Sequence, residues 1–96
     1  MAVYRLDIPP HVAVILRHLP PELKRPIQSA LQALSRDPAL GEPLLRELEG
    51  LWKYRVRRFR IVYTVDRGAG LLRIFAVGHR RTIYEEVASS LRGRHP

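Results

Sequence analysis

Residues 52–78, WKYRVRRFRIVYTVDRGAGLLRIFAVG, decide the architecture. In the middle of the stretch Phe59, Ile61, Tyr63 and Val65 alternate with Arg60, Val62 and Thr64, the period of two that sends successive side chains to opposite faces of a strand. Before it, Trp52, Tyr54 and Val56 alternate with Lys53, Arg55 and Arg57. Arg57-Arg58 then reads as a tight turn, and Gly68-Ala69-Gly70 as a second one leading into a strand from Leu71 to Val77. Three strands joined by two short turns form an antiparallel meander.

Towards the N-terminus, residues 2–8 (AVYRLDI) set Val3 and Arg5 against Tyr4, Leu6 and Ile8, a further strand that Pro9-Pro10 ends. Val12, Ile15, Leu16 and Leu19 follow at the spacing of one helix face, and Pro20-Pro21 breaks the chain and starts the next helix. That helix carries Leu23, Ile27, Ala30, Leu31 and Leu34 on one side and stops at Asp37-Pro38; Pro26 costs it a hydrogen bond and kinks its first turn. Residues 39–50 read as a connector anchored by Leu44, Leu45 and Leu48, Tyr84 to Leu91 as a short helix, and residues 92–96, RGRHP, as a disordered tail. The expectation is one α+β domain over residues 1–96, ordered β-α-α-β-β-β-α, with an antiparallel sheet and the helical hairpin packed on one face. The other face is left free and carries arginines.

The 96 residues allow one core, and the 46% apolar content supplies it. No stretch is apolar enough to span a membrane or to act as an export leader, so a cytoplasmic protein without a membrane partner is expected. The absence of cysteine excludes disulfides and thiolate metal sites, and no cofactor is implied. The net charge of +8 is uneven: six basic and six acidic residues balance up to Trp52, and eleven basic against three acidic residues follow from Lys53. A localised positive field attracts polyanions, nucleic acid first among them. Fifteen of the seventeen basic residues are arginine, whose planar fork grips phosphate bidentately, although a GC-rich genome alone would also favour arginine over lysine.

The meander then runs into FAVGHRRTIYEEV, residues 75–87. If its strands are neighbours, Lys53, Arg55 and Arg57 of the first, Arg60 of the second, and His79 and Arg80 at the end of the third converge, with Tyr84 at the rim. Arg60 is the most informative, because it interrupts a run of Phe59, Ile61, Val62 and Tyr63 and a charge there needs a partner or an open face. Arg57, Arg58, Arg73 and Arg81 singly are what any solvated surface carries.

LRELEGLWKYRVRRFRIVYTV and IFAVGHRRTIY, following a helical hairpin that ends in ALSRDP, resemble the RelE side of the RelE/ParE superfamily of toxin-antitoxin toxins. The resemblance implies the fold reached above and a ribonuclease that cuts mRNA in the ribosomal A site. It makes Arg60 and Arg80 the phosphate-binding arginines, Tyr84 the catalytic tyrosine, and Lys53 and Arg55 the assisting strand cations. Arg57, Arg58 and Arg81 extend the RNA contact, and His79, where RelE has lysine, is a further catalytic candidate. The implied partners are a cognate acidic antitoxin, mRNA and the ribosome with its rRNA. The ParE branch shares the fold and poisons DNA gyrase instead, and a basic nucleic-acid-binding module without toxicity is the third possibility. For RNA cleavage Arg60 and Arg80 would neutralise the phosphorane, Tyr84 or His79 would take the 2'-hydroxyl proton, and Arg80 or Arg55 would assist the leaving group.

Overall fold

The computed structural model describes residues 3–93. Its centre is the expected meander: β3 (Trp52–Val56), β4 (Phe59–Asp66) and β5 (Leu71–His79), each antiparallel to the next. Arg57 and Arg58 form the first turn, with Arg57 at φ 54, the left-handed region that two-residue hairpin turns exploit. In the second, the Asp66 carboxylate accepts the Ala69 N–H at 3.0 Å and Gly70 takes φ 65, which a glycine adopts without strain.

Two further strands complete a five-stranded sheet of order β1-β5-β4-β3-β2. Strand β1 (Arg5–Asp7) lies beside β5 with Arg5 opposite Leu71, and β2 (Glu42–Pro43) edges β3. The sheet is thus mixed rather than wholly antiparallel. The first and last strands meet in parallel, which only a long crossover permits, and both helices of the hairpin lie within that crossover. Strand β2 is two residues long and ends in proline, too short to register as an alternating pattern and blunted against further pairing.

Helices α1 (Pro10–Arg17) and α2 (Pro21–Arg36) each open with proline in the first turn, where the missing N–H costs nothing. Their apolar faces bury Val12, Leu23, Ile27, Leu31 and Leu34, together with Leu19 of the link between them, against Val56, Ile61, Tyr63, Leu72, Ile74 and Val77. This is the hairpin-on-sheet core that the spacing implied. Tyr4, Leu6 and Ile8 pack onto it, and Arg5 and Asp7 face outward.

The opposite face is not free. Helix α3 (Ile83–Arg92) lies on it, burying Ile83 and Val87 against Val62 and Leu51, with Phe75, Ala76, Tyr84 and Leu91 around them. Val62 faces away from the hairpin and needs its own cover, and the i, i+4 pair Ile83 and Val87 provides it. Leu44 and Leu48 join this second core, whereas Leu45 is 73% exposed and anchors nothing. Arg92, the first residue of the expected tail, belongs to α3; residues 94–96 lie outside the described residues.

A β-bulge in β5 sets the side-chain phase. Val62 pairs with Ala76 and Tyr63 with Ile74, so Phe75 is the extra residue. Leu72 and Ile74 face the hairpin, Phe75 and Ala76 both join the α3 core, and Val77 returns to the hairpin side. Strand β1 covers only Leu71–Arg73 of β5, and beyond it α1 flanks the strand, where His11 Nε2 donates to the Phe75 carbonyl at 3.2 Å.

Tyr63 locks the connector to the sheet. Its ring is fully buried, its hydroxyl donates to the Pro38 carbonyl at 2.7 Å and accepts the Gly41 N–H at 3.1 Å, and burial pushes its pKa up to about 12. An unfolded tyrosine ionises near pH 10, so the folded state holds the proton more tightly. The stability this represents is fully present below pH 10 and is lost as pH rises towards 12, on the order of 2 kcal/mol. Tyr63→Phe should cost about 1–3 kcal/mol at neutral pH by stranding the buried Pro38 carbonyl and the part-buried Gly41 N–H. Urea titrations of both proteins from pH 8 to 11.5 should show the difference narrowing at the alkaline end; a constant difference would contradict this account.

Candidate nucleic-acid interface

The α3 face of the sheet gathers part of the predicted constellation. Arg55 of β3 and Arg60 of β4 are directly opposite each other, and Gly78 of β5 continues their row. Like charges in that position repel, yet among the described residues neither arginine has a carboxylate within 4.0 Å. Arg60 is half-buried and held by the chain itself: its Nη1 donates to the carbonyls of Arg57 at 2.9 Å and Phe59 at 2.8 Å. One edge of the guanidinium is thereby fixed.

Lys53 lies two residues before Arg55 on the same face, paired with Val62. Its Nζ sits over the Tyr84 ring, 5.9 Å from the centroid, a cation–π contact between β3 and the second residue of α3. Helix α3 therefore carries Tyr84 onto the face that holds Lys53, Arg55 and Arg60. Those four form the core of the site.

The remaining residues divide. Arg80 follows β5 directly, its N–H donating to the Arg58 carbonyl at 2.7 Å and its side chain exposed, so it stands at the same sheet end as Arg60. Arg81 is exposed as well, and its N–H donates to His79 Nδ1 at 3.1 Å. His79 does not join the group. The bulge at Phe75 shifts the alternation by one residue, so Gly78 meets the α3 face and His79 stacks edge-on against Phe59, ring centroids 6.1 Å apart, on the hairpin side. Without the extra residue, alternation from Leu72 and Ile74 would turn His79 to the side of the sheet that holds Arg60.

Arg57 and Arg58 also depart from the expected surface, drawn to the start of α2. Pro26 lacks an N–H, which leaves the Glu22 carbonyl without its helical donor, and Arg57 Nη1 supplies one at 3.1 Å. The Glu22 carboxylate takes Arg58 Nη2 at 2.8 Å, a hydrogen bond that holds its pKa below the usual glutamate value. Sequence periodicity had no access to either contact. A second carboxylate is new on the α3 side: Glu86, one turn into α3, brings Oε2 to 3.7 Å from the place a side chain would begin at Gly78, the direct cross-strand partner of Arg60.

Chemically, the face offers cations for a phosphate, Arg60 among them fixed by hydrogen bonds, and a phenol for proton transfer. They sit on a sheet and the helix packed to it, so the backbone positions of Arg55, Arg60, Lys53 and Tyr84 are set before any ligand arrives.

Residues 15–84 match the family described as the ParE toxin of the type II toxin-antitoxin system, parDE. The chain is 38% identical over 71 residues to toxin RelG of Mycobacterium tuberculosis, which spans 72% of this chain and 82% of that protein. In structure it is similar to a chain of the RelBE2 toxin-antitoxin complex from M. tuberculosis, with TM-score 0.75, 30% identity, and coverage of 83% of this chain and 94% of that one. A mutant of the E. coli toxin RelE in the free state superposes over the full length of both chains with TM-score 0.74; at 22% identity this likeness speaks for the fold. The matched segment holds the end of α1, all of α2, the whole meander and every residue of the site as far as Tyr84, and on that basis the chain belongs to the ParE toxin family, within the RelE/ParE superfamily of type II toxin-antitoxin toxins.

Proposed function

We propose that the protein is a ribosome-dependent endoribonuclease that cleaves mRNA in the A site, acting in the cytoplasm. The observation that carries this reading is the cross-strand pair Arg55–Arg60, without a carboxylate partner among the described residues, beside the Lys53–Tyr84 contact on the same face. A pair of like charges held so close costs stability, and an RNA phosphate would relieve it.

In the reaction the 2'-oxygen of the nucleotide attacks its own 3'-phosphorus, and the bond to the next 5'-oxygen breaks. The products are a 2',3'-cyclic phosphate and a 5'-hydroxyl. Arg60, fixed by its two carbonyls, stabilises the added negative charge of the phosphorane, with Arg80 and Arg55 beside it. Tyr84 takes the 2'-hydroxyl proton, and Arg80 or Lys53 assists the departing 5'-oxygen. The position of His79 across the sheet favours Tyr84 for the proton transfer. Arg81, exposed beside Arg80, extends the path of the RNA backbone at the sheet end, whereas Arg57 and Arg58 are engaged with Glu22.

A cognate antitoxin with an acidic surface is the natural partner of a +8 toxin, in keeping with the complexes in which the RelE relatives from M. tuberculosis and E. coli are found. The match to the ParE family favours one second reading, inhibition of DNA gyrase through the same basic face. Induced expression followed by pulse labelling separates the two. Amino-acid incorporation should stop within minutes with chromosomal DNA intact; continued translation with accumulating DNA breaks would support gyrase instead.

A further inference from the structure

The tip of the β3–β4 hairpin is held by a chain of contacts that begins on the other side of the sheet. Glu22 grips Arg58 through its carboxylate at 2.8 Å and Arg57 through its carbonyl at 3.1 Å, the latter vacant because Pro26 cannot donate to it. The same two tip residues then turn their own carbonyls to the site: Arg57 accepts from Arg60 Nη1 at 2.9 Å, and Arg58 accepts from the Arg80 N–H at 2.7 Å. Both arginines assigned to the phosphate are thus attached to the segment that Glu22 restrains.

We propose that Glu22 is a positioning residue, which latches the hairpin tip to the start of α2 and so holds Arg60 and the Arg80 backbone in register for the phosphate. The left-handed conformation of Arg57, φ 54, makes the latch necessary: a non-glycine residue there is strained, and a restraint on both sides of it keeps the turn from relaxing. The latch also occupies two cations that would otherwise be loose. Glu22 never reaches the α3 face, so its effect on cleavage would pass entirely through Arg57 and Arg58. The part of this proposal that concerns cleavage rests on the ribonuclease reading.

Charge alone gives a different signature from a latch. Removing the Glu22 side chain adds one unit of positive charge and frees Arg58, while Arg57 keeps the backbone carbonyl of residue 22; the charge by itself would tighten binding to ribosomes and leave the maximal rate untouched. The latch predicts that Glu22→Ala lowers the single-turnover rate at saturating ribosomes by about 5- to 10-fold without weakening binding. It also predicts that hydrogen exchange of the Arg80 amide accelerates by about fivefold or more. The double variant Glu22→Arg with Arg58→Glu rebuilds the ion pair and should slow that exchange again. The thermal midpoint should stay within a few degrees, as for any exposed pair.

A maximal rate within about twofold of the parent protein, with tighter binding, would overturn the proposal in favour of simple charge removal. An Arg80 amide that exchanges no faster would overturn it directly. A folded wild-type protein that cleaves no RNA would sink the ribonuclease reading, and the latch would then stand or fall on the Arg80 amide alone.

Discussion

Arg60→Ala is expected to reduce ribosome-dependent mRNA cleavage by about 10²- to 10³-fold, the scale on which removal of one preorganised charge-stabilising donor is felt. The expectation follows from how the side chain is held. Two carbonyls of its own turn, at 2.8 and 2.9 Å, fix Nη1 and leave the rest of the guanidinium for the phosphate. The fold should survive the change, since Arg60 belongs to neither apolar core and its removal relieves repulsion with Arg55. Arg60→Lys keeps the charge and loses the fork, so it should recover only a minor part of the rate. An Arg60→Ala protein within about threefold of the parent rate, with the same thermal midpoint, would show that the pair does not carry the chemistry.

The largest effect on stability is expected at Gly41. A side chain there would begin 2.2 Å from the Tyr63 hydroxyl and 2.5 Å from the Lys53 carbonyl, and neither can withdraw cheaply. The hydroxyl is committed to Pro38 and to Gly41 itself, and Lys53 is paired with both Glu42 and Val62. The backbone of Gly41 is extended, so the demand is for space and not for a special conformation. Gly41→Ala should therefore cost about 3 kcal/mol through forced repacking and two broken hydrogen bonds. In a domain of this size that corresponds to a fall of roughly 15 °C in the thermal midpoint, read by circular dichroism. A loss below about 1 kcal/mol would mean that the connector moves freely on Tyr63.

What could be read from the sequence follows from periodicity. Alternation placed Ile61 and Tyr63 against Val62, and helical spacing placed Val12, Leu23, Ile27 and Leu34 on the faces they occupy, whereas Leu19 is buried from the link after α1 has ended at Arg17. Both turns of the meander were legible from Arg57-Arg58 and Gly68-Ala69-Gly70. Periodicity fails where the period changes. The bulge at Phe75 leaves no mark in LLRIFAVG, and it alone moves His79 away from Arg60. The parallel partnership of β1 with β5 is a property of the whole crossover rather than of any stretch.

The free arginine face was the larger error. Periodicity gives the hairpin one face and the short C-terminal helix none, although Val62 points the other way and Ile83 and Val87 are available to cover it. Of the candidate site, Lys53, Arg55, Arg60 and Tyr84 stand together as their positions suggested. Glu22 and Glu86 were invisible because their relevance depends on contacts with residues far away in the chain.

The measurement that tests the central claim most directly is the mapping of RNA ends on ribosomes halted with a defined codon in the A site, after addition of purified, antitoxin-free protein. The account predicts new ends within that codon, carrying a 2',3'-cyclic phosphate upstream and a 5'-hydroxyl downstream, that require the ribosome and disappear with Arg60→Ala. An intact message in the presence of the folded protein would contradict it, and the Arg55–Arg60 face would then be a docking surface without chemistry.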